Sequence, residues 1–141
     1  MKPLLSAAAA MMCLTVSNAF ADSIRVKVSG VAGSAGQIGC GLHESGASFP
    51  TGHDGITTIW VRPKGTSAVC IFEDVAPGIY AVAVAHDLNG NRKTDTNFLG
   101  IPTEAWGVSG NIRPSLRAPR FDEAAFRVED APVTVNVEVK R

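Results

Sequence analysis

Apolar residues recur at every second position along much of this chain, the spacing that turns one face of a β-strand to a core and the other to water. Residues 23–29 alternate Ile24, Val26 and Val28 with Arg25 and Lys27. Residues 37–44 put Ile38, Cys40 and Leu42 on one face, and residues 56–62 read as a third strand stopped by Pro63 and the turn Lys64-Gly65. Ala68, Cys70 and Phe72 share a face in a fourth. Residues 79–86 are apolar on both faces, which predicts a central strand of a sheet covered on both sides. Val133, Val135, Val137 and Val139 line the last strand, and residues 125–128 add a short one before it. No segment of useful length has the helical period, and residues 123–126 are expected to form a single turn. Short strands separated by Gly and Pro predict an all-β fold: a single antiparallel β-sandwich of about seven strands, immunoglobulin-like or transthyretin-like.

One stretch breaks the alternation. Residues 87–122 carry polar turn-formers and three prolines but little strand pattern. Connections of this length in compact domains are usually functional or disordered. The apolar Phe98, Leu99, Ile101 and Trp106 within it predict one long ordered loop packed on the sandwich, and the functional site is expected there.

The first 21 residues change the picture of where the protein works. Lys2 precedes an apolar stretch from Leu4 to Val16, closed by Ala19-Phe20-Ala21. A charged start, a short apolar middle and an A-x-A motif are the marks of a cleaved secretory signal peptide, giving a domain over residues 22–141. The apolar part is too short to span a bilayer, and no later segment is long or apolar enough, so membrane insertion is not expected. Cys13 lacks the small residues that precede a lipoprotein cysteine. A periplasmic or secreted location follows.

Loss of Lys2 leaves the remaining chain one acid in excess, since the full chain has 13 Lys+Arg and 13 Asp+Glu. Nucleic acid and anionic membrane partners call for a basic excess and are not expected. Cys13 leaves with the leader, so Cys40 and Cys70 remain, both on inward faces of their strands. An oxidising compartment and an even count favour a disulfide between them. Its closure is worth roughly 3–4 kcal/mol in the chain-entropy model. The other reading is two buried free thiols.

The fifth strand runs into a segment rich in side-chain oxygens. Asp87, Asn89, Asn91 and Asp95 stand at relative positions 1, 3, 5 and 9. Calcium takes six to eight oxygens, and alternate side chains of a curled loop converge on one point. The spacing resembles the D-x-D-x-D-G-x-x-D loops of EF-hands, dockerins and thrombospondin type 3 repeats. Asn97 or Glu104 would complete the shell, with the Lys93 carbonyl. Against this, Arg92 stands where such loops prefer Gly, and Phe98 where an EF-hand carries its bidentate Glu. Asp and Asn also bond their own backbone in metal-free turns. Both readings stand at this point.

Other chemistry is thin. His43, His53 and His86 are far apart in sequence, and only His86 adjoins a carboxylate. Gly107-Val108-Ser109-Gly110 is not a G-x-S-x-G elbow, no cysteine is free to act, and Asp122-Glu123 reads as a solvated turn. Trp60 and Trp106 read as a sugar- or partner-binding surface or as buried aromatics. His86 and Trp106 are candidates for a ligand or partner surface.

Several blocks together carry a resemblance. Phe72-Glu73-Asp74-Val75-Ala76-Pro77-Gly78-Ile79-Tyr80 resembles the F-x-x-[LV]-x-P-G-x-Y signature of transthyretin-like and carboxypeptidase-regulatory-like sandwiches. His86-Asp87-Leu88-Asn89-Gly90-Asn91 follows, then Asp95-Thr96-Asn97-Phe98-Leu99-Gly100-Ile101-Pro102-Thr103-Glu104, Trp106-Gly107-Val108-Ser109 and the block at residues 121–126. This succession, over nearly all of residues 22–141, resembles the bacterial family catalogued as domain of unknown function 2141. Its members usually carry Gly in place of Arg92 and often Phe in place of Trp106. The resemblance implies an exported β-sandwich with a shared loop, and no reaction. The expectation is therefore a non-catalytic binding or structural module with a candidate calcium loop. The alternative is a metal-free module that binds a small molecule or peptide, or another protein, through the long loop. A hydrolytic or metal-dependent enzyme built on His86, Asp87 and Glu104 is the third.

Overall fold

The computed structural model describes residues 22–53 and 56–141. The expected leader, residues 1–21 with its cleavage after Ala21, lies outside the described residues. The strands are β1 (Asp22–Ser29), β2 (Gln37–His43), β3 (Thr57–Val61), β4 (Ala68–Val75), β5 (Gly78–Asp87), β6 (Trp106–Val108), β7 (Phe126–Val128) and β8 (Val133–Glu138). A 3-10 turn, Ser109–Asn111, follows β6, and a one-turn helix α1, Phe121–Ala124, precedes β7. One sheet has the order β4-β1-β8 and the other β3-β2-β5-β6, with β7 paired to the opening residues of β5. The chain is an all-β sandwich.

The period-two pattern explains the layers. Ile24, Val26 and Val28 of β1, Cys70 and Phe72 of β4, and Val135 and Val137 of β8 meet Ile38, Cys40 and Leu42 of β2 and Tyr80, Val82 and Val84 of β5. Each such side chain, taken fully from water, contributes about 1.5–3 kcal/mol. The intervening Arg25, Lys27, Thr134 and Asn136 are exposed. Cys40 and Cys70 form a disulfide between the sheets, with Cα atoms 6.5 Å apart and both residues wholly buried. Pro77-Gly78 turns β4 into β5, and the Tyr80 hydroxyl donates to the Ala76 carbonyl at 2.7 Å.

β5 is covered along its inner face and at one end of its outer face, so the expectation of cover on both sides is met only in part. Its outer face carries Ala81, which packs with Val108, Ala124, Phe49, Ile112 and Phe121 in a second apolar cluster. That cluster roofs one end of the sheet, takes in the half-buried Ala83 at its edge and leaves Ala85 half-buried beyond it.

Four expectations need correction. The sandwich is not wholly antiparallel, because β1 and β8 pair in parallel from Ile24↔Val133 to Ser29↔Glu138. β8 enters by a crossover from the other sheet rather than by a hairpin, so no tight turn dictates its direction. The stretch 87–122 is not one long loop. It contains β6, whose three residues are too few for a period and whose partners lie on β5 and at Lys140. Its turn of helix also starts earlier than residue 123, at Phe121. Finally, Phe98, Leu99 and Ile101 do not pack on the sandwich but are 95%, 68% and 55% exposed. They ride on a small hairpin closed at Thr96↔Pro102, where the Asn97 side chain accepts the Leu99 and Ile101 N–H groups. Polar bonds hold that tip, so its apolar side chains face outward.

The inter-sheet disulfide yields a direct prediction. Cys40→Ser is expected to lower unfolding free energy by about 2–5 kcal/mol, read as a fall in the denaturation midpoint. Wild-type protein in reductant should fall by a similar amount, and an unchanged midpoint in both would contradict the prediction.

Candidate functional site

Strand register builds a trough on the outer face of the larger sheet. Trp60 of β3 stands opposite Gly39 of β2, Gly39 opposite Ala85 of β5, and Ala85 opposite Trp106 of β6. Residues paired across strands point to the same face, so this row reads Trp60, Gly39, Ala85, Trp106 across the sheet. Two residues along each strand, the next row reads Thr58, Gly41, Ala83, Val108. Glycine and alanine raise almost nothing above the backbone, and the tryptophans flank them. The Trp60 ring lies across Gly39, where an added Cβ would come within 2.6 Å of it. The resulting cleft has a volume of about 1210 Å³ and is bounded by the 50–53 turn, the 92–102 segment and the 113–119 segment.

Cations surround it. The Arg92 guanidinium sits 5.3 Å from the centroid of the Trp60 ring, and that of Arg113 sits 4.0 Å over Trp106. Both distances are those of cation–π stacks. Arg113 also donates through Nη2 to the Trp106 carbonyl and, at 3.2 Å, to that of Lys140, which fastens β6 to the chain's end. Burial lowers the Arg113 pKa while Glu138 opposes the shift. Arg92 has φ 55, a left-handed backbone that disfavours any residue with a Cβ. Lys93, Arg117 and Arg141 line the same cleft, whose described lining holds a single acid, Asp87. On the 113–119 side, hydrogen bonds from Arg117 at 2.6 and 2.9 Å and from the Arg120 N–H hold Glu123 down to a pKa of about 2.

The Asp/Asn loop adjoins this cleft. Asp87, on the outer face at the end of β5, is 1% exposed and accepts the Gly90 and Arg92 N–H groups at 2.8 and 2.7 Å. Asp95 accepts the Asn89 and Asn91 side-chain amides, each at 2.6 Å. Glu104, also buried, accepts the Leu88 N–H at 3.1 Å and that of Asp95 at 3.5 Å. The fold thus gathers Asn89, Asn91 and Asp95, sets Asp87 and Glu104 against the loop backbone, and assigns Asn97 to the separate hairpin. Among the described residues no group of at least three His, Cys, Asp or Glu is arranged as metal ligands.

His86 and Trp106 do not share a surface. Neighbours on a strand point to opposite faces, so His86 turns inward with Val84 while Asp87 turns out. His86 is 1% exposed, and its Nε2 meets the Ala35 carbonyl at 2.7 Å. Trp106 is half-buried in the cleft wall. Sequence reasoning missed the partners of the tryptophans, Arg92 and Arg113, and the floor between them. The signal available was Gly39 and Gly41 on one strand with Ala81, Ala83 and Ala85 on another: small residues on a face that is neither core-like nor charged.

His43 was also missed as a cleft residue. It is buried, packs edge-on against Phe49, and its Nδ1 lies 3.3 Å from the Ser48 hydroxyl.

Two predictions follow from these contacts. Asp87→Ala, measured in chelator, should lower stability by about 1–3 kcal/mol through the loss of a buried acceptor for two N–H groups; no change in melting would contradict that role. The His43 pKa is held low by burial first and by His53 second. The unfolded chain therefore takes up this proton before the folded one does. The contribution is intact above the unfolded value of about 6.5 and is lost as pH falls below it. Melting curves between about pH 8 and pH 5.5 should show a smaller acid-induced fall for His43→Gln than for wild type.

No curated protein and no solved structure matches this chain. The model of one family does, over residues 26–136, a span holding all of β2 to β7, the cleft floor, both tryptophans and the Asp/Asn loop. The chain belongs to that family, described as an uncharacterized protein conserved in bacteria, DUF2141.

Proposed function

We propose that the protein is an exported, non-catalytic binding module that takes a small molecule in the cleft between Trp60 and Trp106, with no metal required. Export rests on the leader-like residues 1–21. The observation that carries the binding reading is the floor of Gly39, Gly41, Ala83 and Ala85 set between two tryptophans. Concave, largely apolar sites with a few polar groups are the usual form of small-molecule pockets, and the two half-buried indole rings give this one apolar walls. A metal-free loop is favoured because both oxygens of Asp87, Asp95 and Glu104 already accept hydrogen bonds within the chain. The calcium reading has one observation on its side, the convergence of Asn89 and Asn91 on Asp95.

The test uses 8-anilinonaphthalene-1-sulfonate, a flat fluorescent anion. The chain has only two tryptophans, both on this cleft, so energy transfer from Trp to bound dye reports this site. Saturable transfer is expected, equal in chelator and in calcium, and reduced about tenfold in affinity by Ala85→Leu, which fills the floor. Transfer indifferent to Ala85→Leu would overturn the cleft reading. A calcium-dependent rise in melting temperature, absent from an Asp87→Ala, Asp95→Ala double variant, would replace the metal-free reading with a calcium loop.

A further inference from the structure

Resting on that cleft reading, we infer that the natural ligand is acidic: a molecule with a flat or apolar body and an oxyanion, carboxylate or phosphate, held by Arg92 and Arg113. Each wall of the cleft pairs a tryptophan with a guanidinium, Trp60 with Arg92 and Trp106 with Arg113. Stacking fixes the plane of each guanidinium, so less motion is lost when it meets an oxyanion. Neither arginine forms an ion pair among the described residues, whereas Arg117 and Arg120 do, and Glu138, the acid that acts on Arg113 from nearby, is paired with Lys140. Arg113 uses Nη2 on backbone carbonyls and keeps Nε and Nη1 for another acceptor. Asp87, the acid in the described lining, spends both oxygens on backbone N–H groups and forms no ion pair with either guanidinium.

The body of the ligand is read from the rest of the rim. Leu99, Ile101 and Leu116 border the cleft and are 68%, 55% and 99% exposed. Large apolar side chains held out from opposite sides of an aromatic trough gain by closing over an apolar surface. Cations at the walls and apolar groups at the lip together describe an amphiphilic acid. Such a ligand sets its oxyanion against the guanidiniums of the walls and lays its ring or chain along the Gly/Ala floor.

The experiment compares two dyes on the purified protein: 8-anilinonaphthalene-1-sulfonate and its neutral analogue N-phenyl-1-naphthylamine. The anion is expected to bind about tenfold or more tightly than the neutral dye, and to weaken as salt is raised. Arg92→Gln should remove most of that preference, and Arg92→Gly should do the same while relieving the left-handed backbone. Arg92→Gly is expected to melt at or above the wild-type temperature and Arg92→Gln close to it, which separates lost recognition from lost fold. Equal affinity for the two dyes, or an anion preference untouched by both Arg92 variants, would overturn the acidic ligand and leave the cleft standing. Absence of Trp-to-dye transfer for either dye would remove the cleft reading and this inference with it. Displacement by 1-naphthoate against 1-naphthyl phosphate then distinguishes carboxylate from phosphate as the acid, and displacement by neither counts against the inference.

Discussion

The two faces of β5 govern the rest of the architecture. Tyr80, Val82 and Val84 fill the space between the sheets, while Ala81, Ala83 and Ala85 line the opposite face. A strand in the middle of a sheet has its backbone satisfied by neighbours on both edges, so its side chains alone decide what each face accepts. Large β-branched residues on one side demand a second sheet. Methyl groups on the other side admit either close packing or an open groove, and the chain uses both. The cluster of Phe49, Val108 and Phe121 closes over Ala81 and takes in Ala83 and Trp106 at its edge, and Ala85 stays half-buried beyond it.

The disulfide and the valine face act on the same problem from different directions. Packing of β1, β4 and β8 against β2 and β5 sets the distance between sheets, and Cys40–Cys70 prevents them from separating in the unfolded ensemble. With the sheets clamped, the outer face of the larger one is free of inter-sheet packing around Gly39 and Ala85. That freedom lets Trp60 lie down on Gly39 and leaves Trp106 standing, half-buried, at the other edge. The Asp/Asn loop then has a structural task in its own right. Through Asp87 and Glu104 it brings the chain back from the end of β5 to β6, and on the way it sets Arg92 over Trp60.

Much of this was legible in the residues. Alternating valines and isoleucines announced strands, their sidedness placed Cys40 and Cys70 inward, and the two-faced composition of residues 79–86 placed β5 at the centre of a covered sheet. The His86-to-Glu104 run carried the family. Of its acids and amides, Asn89, Asn91 and Asp95 are in mutual contact, while Asp87 and Glu104 bond loop backbone, Asn97 serves another turn and His86 lies on the other face of its strand. Period-two reasoning applied to residue 86 would have sent it inward with Val84.

Side-chain pattern within one strand is a local property, set by backbone geometry, and the sequence by itself determined the strands, their inward faces, the disulfide candidates and the polar turn. Register between strands is a property of pairs distant in the chain, and only the tertiary structure decided it. Trp60 and Trp106 are far apart in sequence, and they become two walls of one cleft because β2 and β5 lie between β3 and β6 with Gly39 and Ala85 in line. The parallel pairing of β8 with β1 and the short strand β6 have the same origin, since each depends on a partner the local sequence does not specify. The cations complete the lesson: Arg113 goes unremarked in the sequence, Arg92 enters there only as a departure from glycine, and both acquire a shared meaning from the ring each one covers.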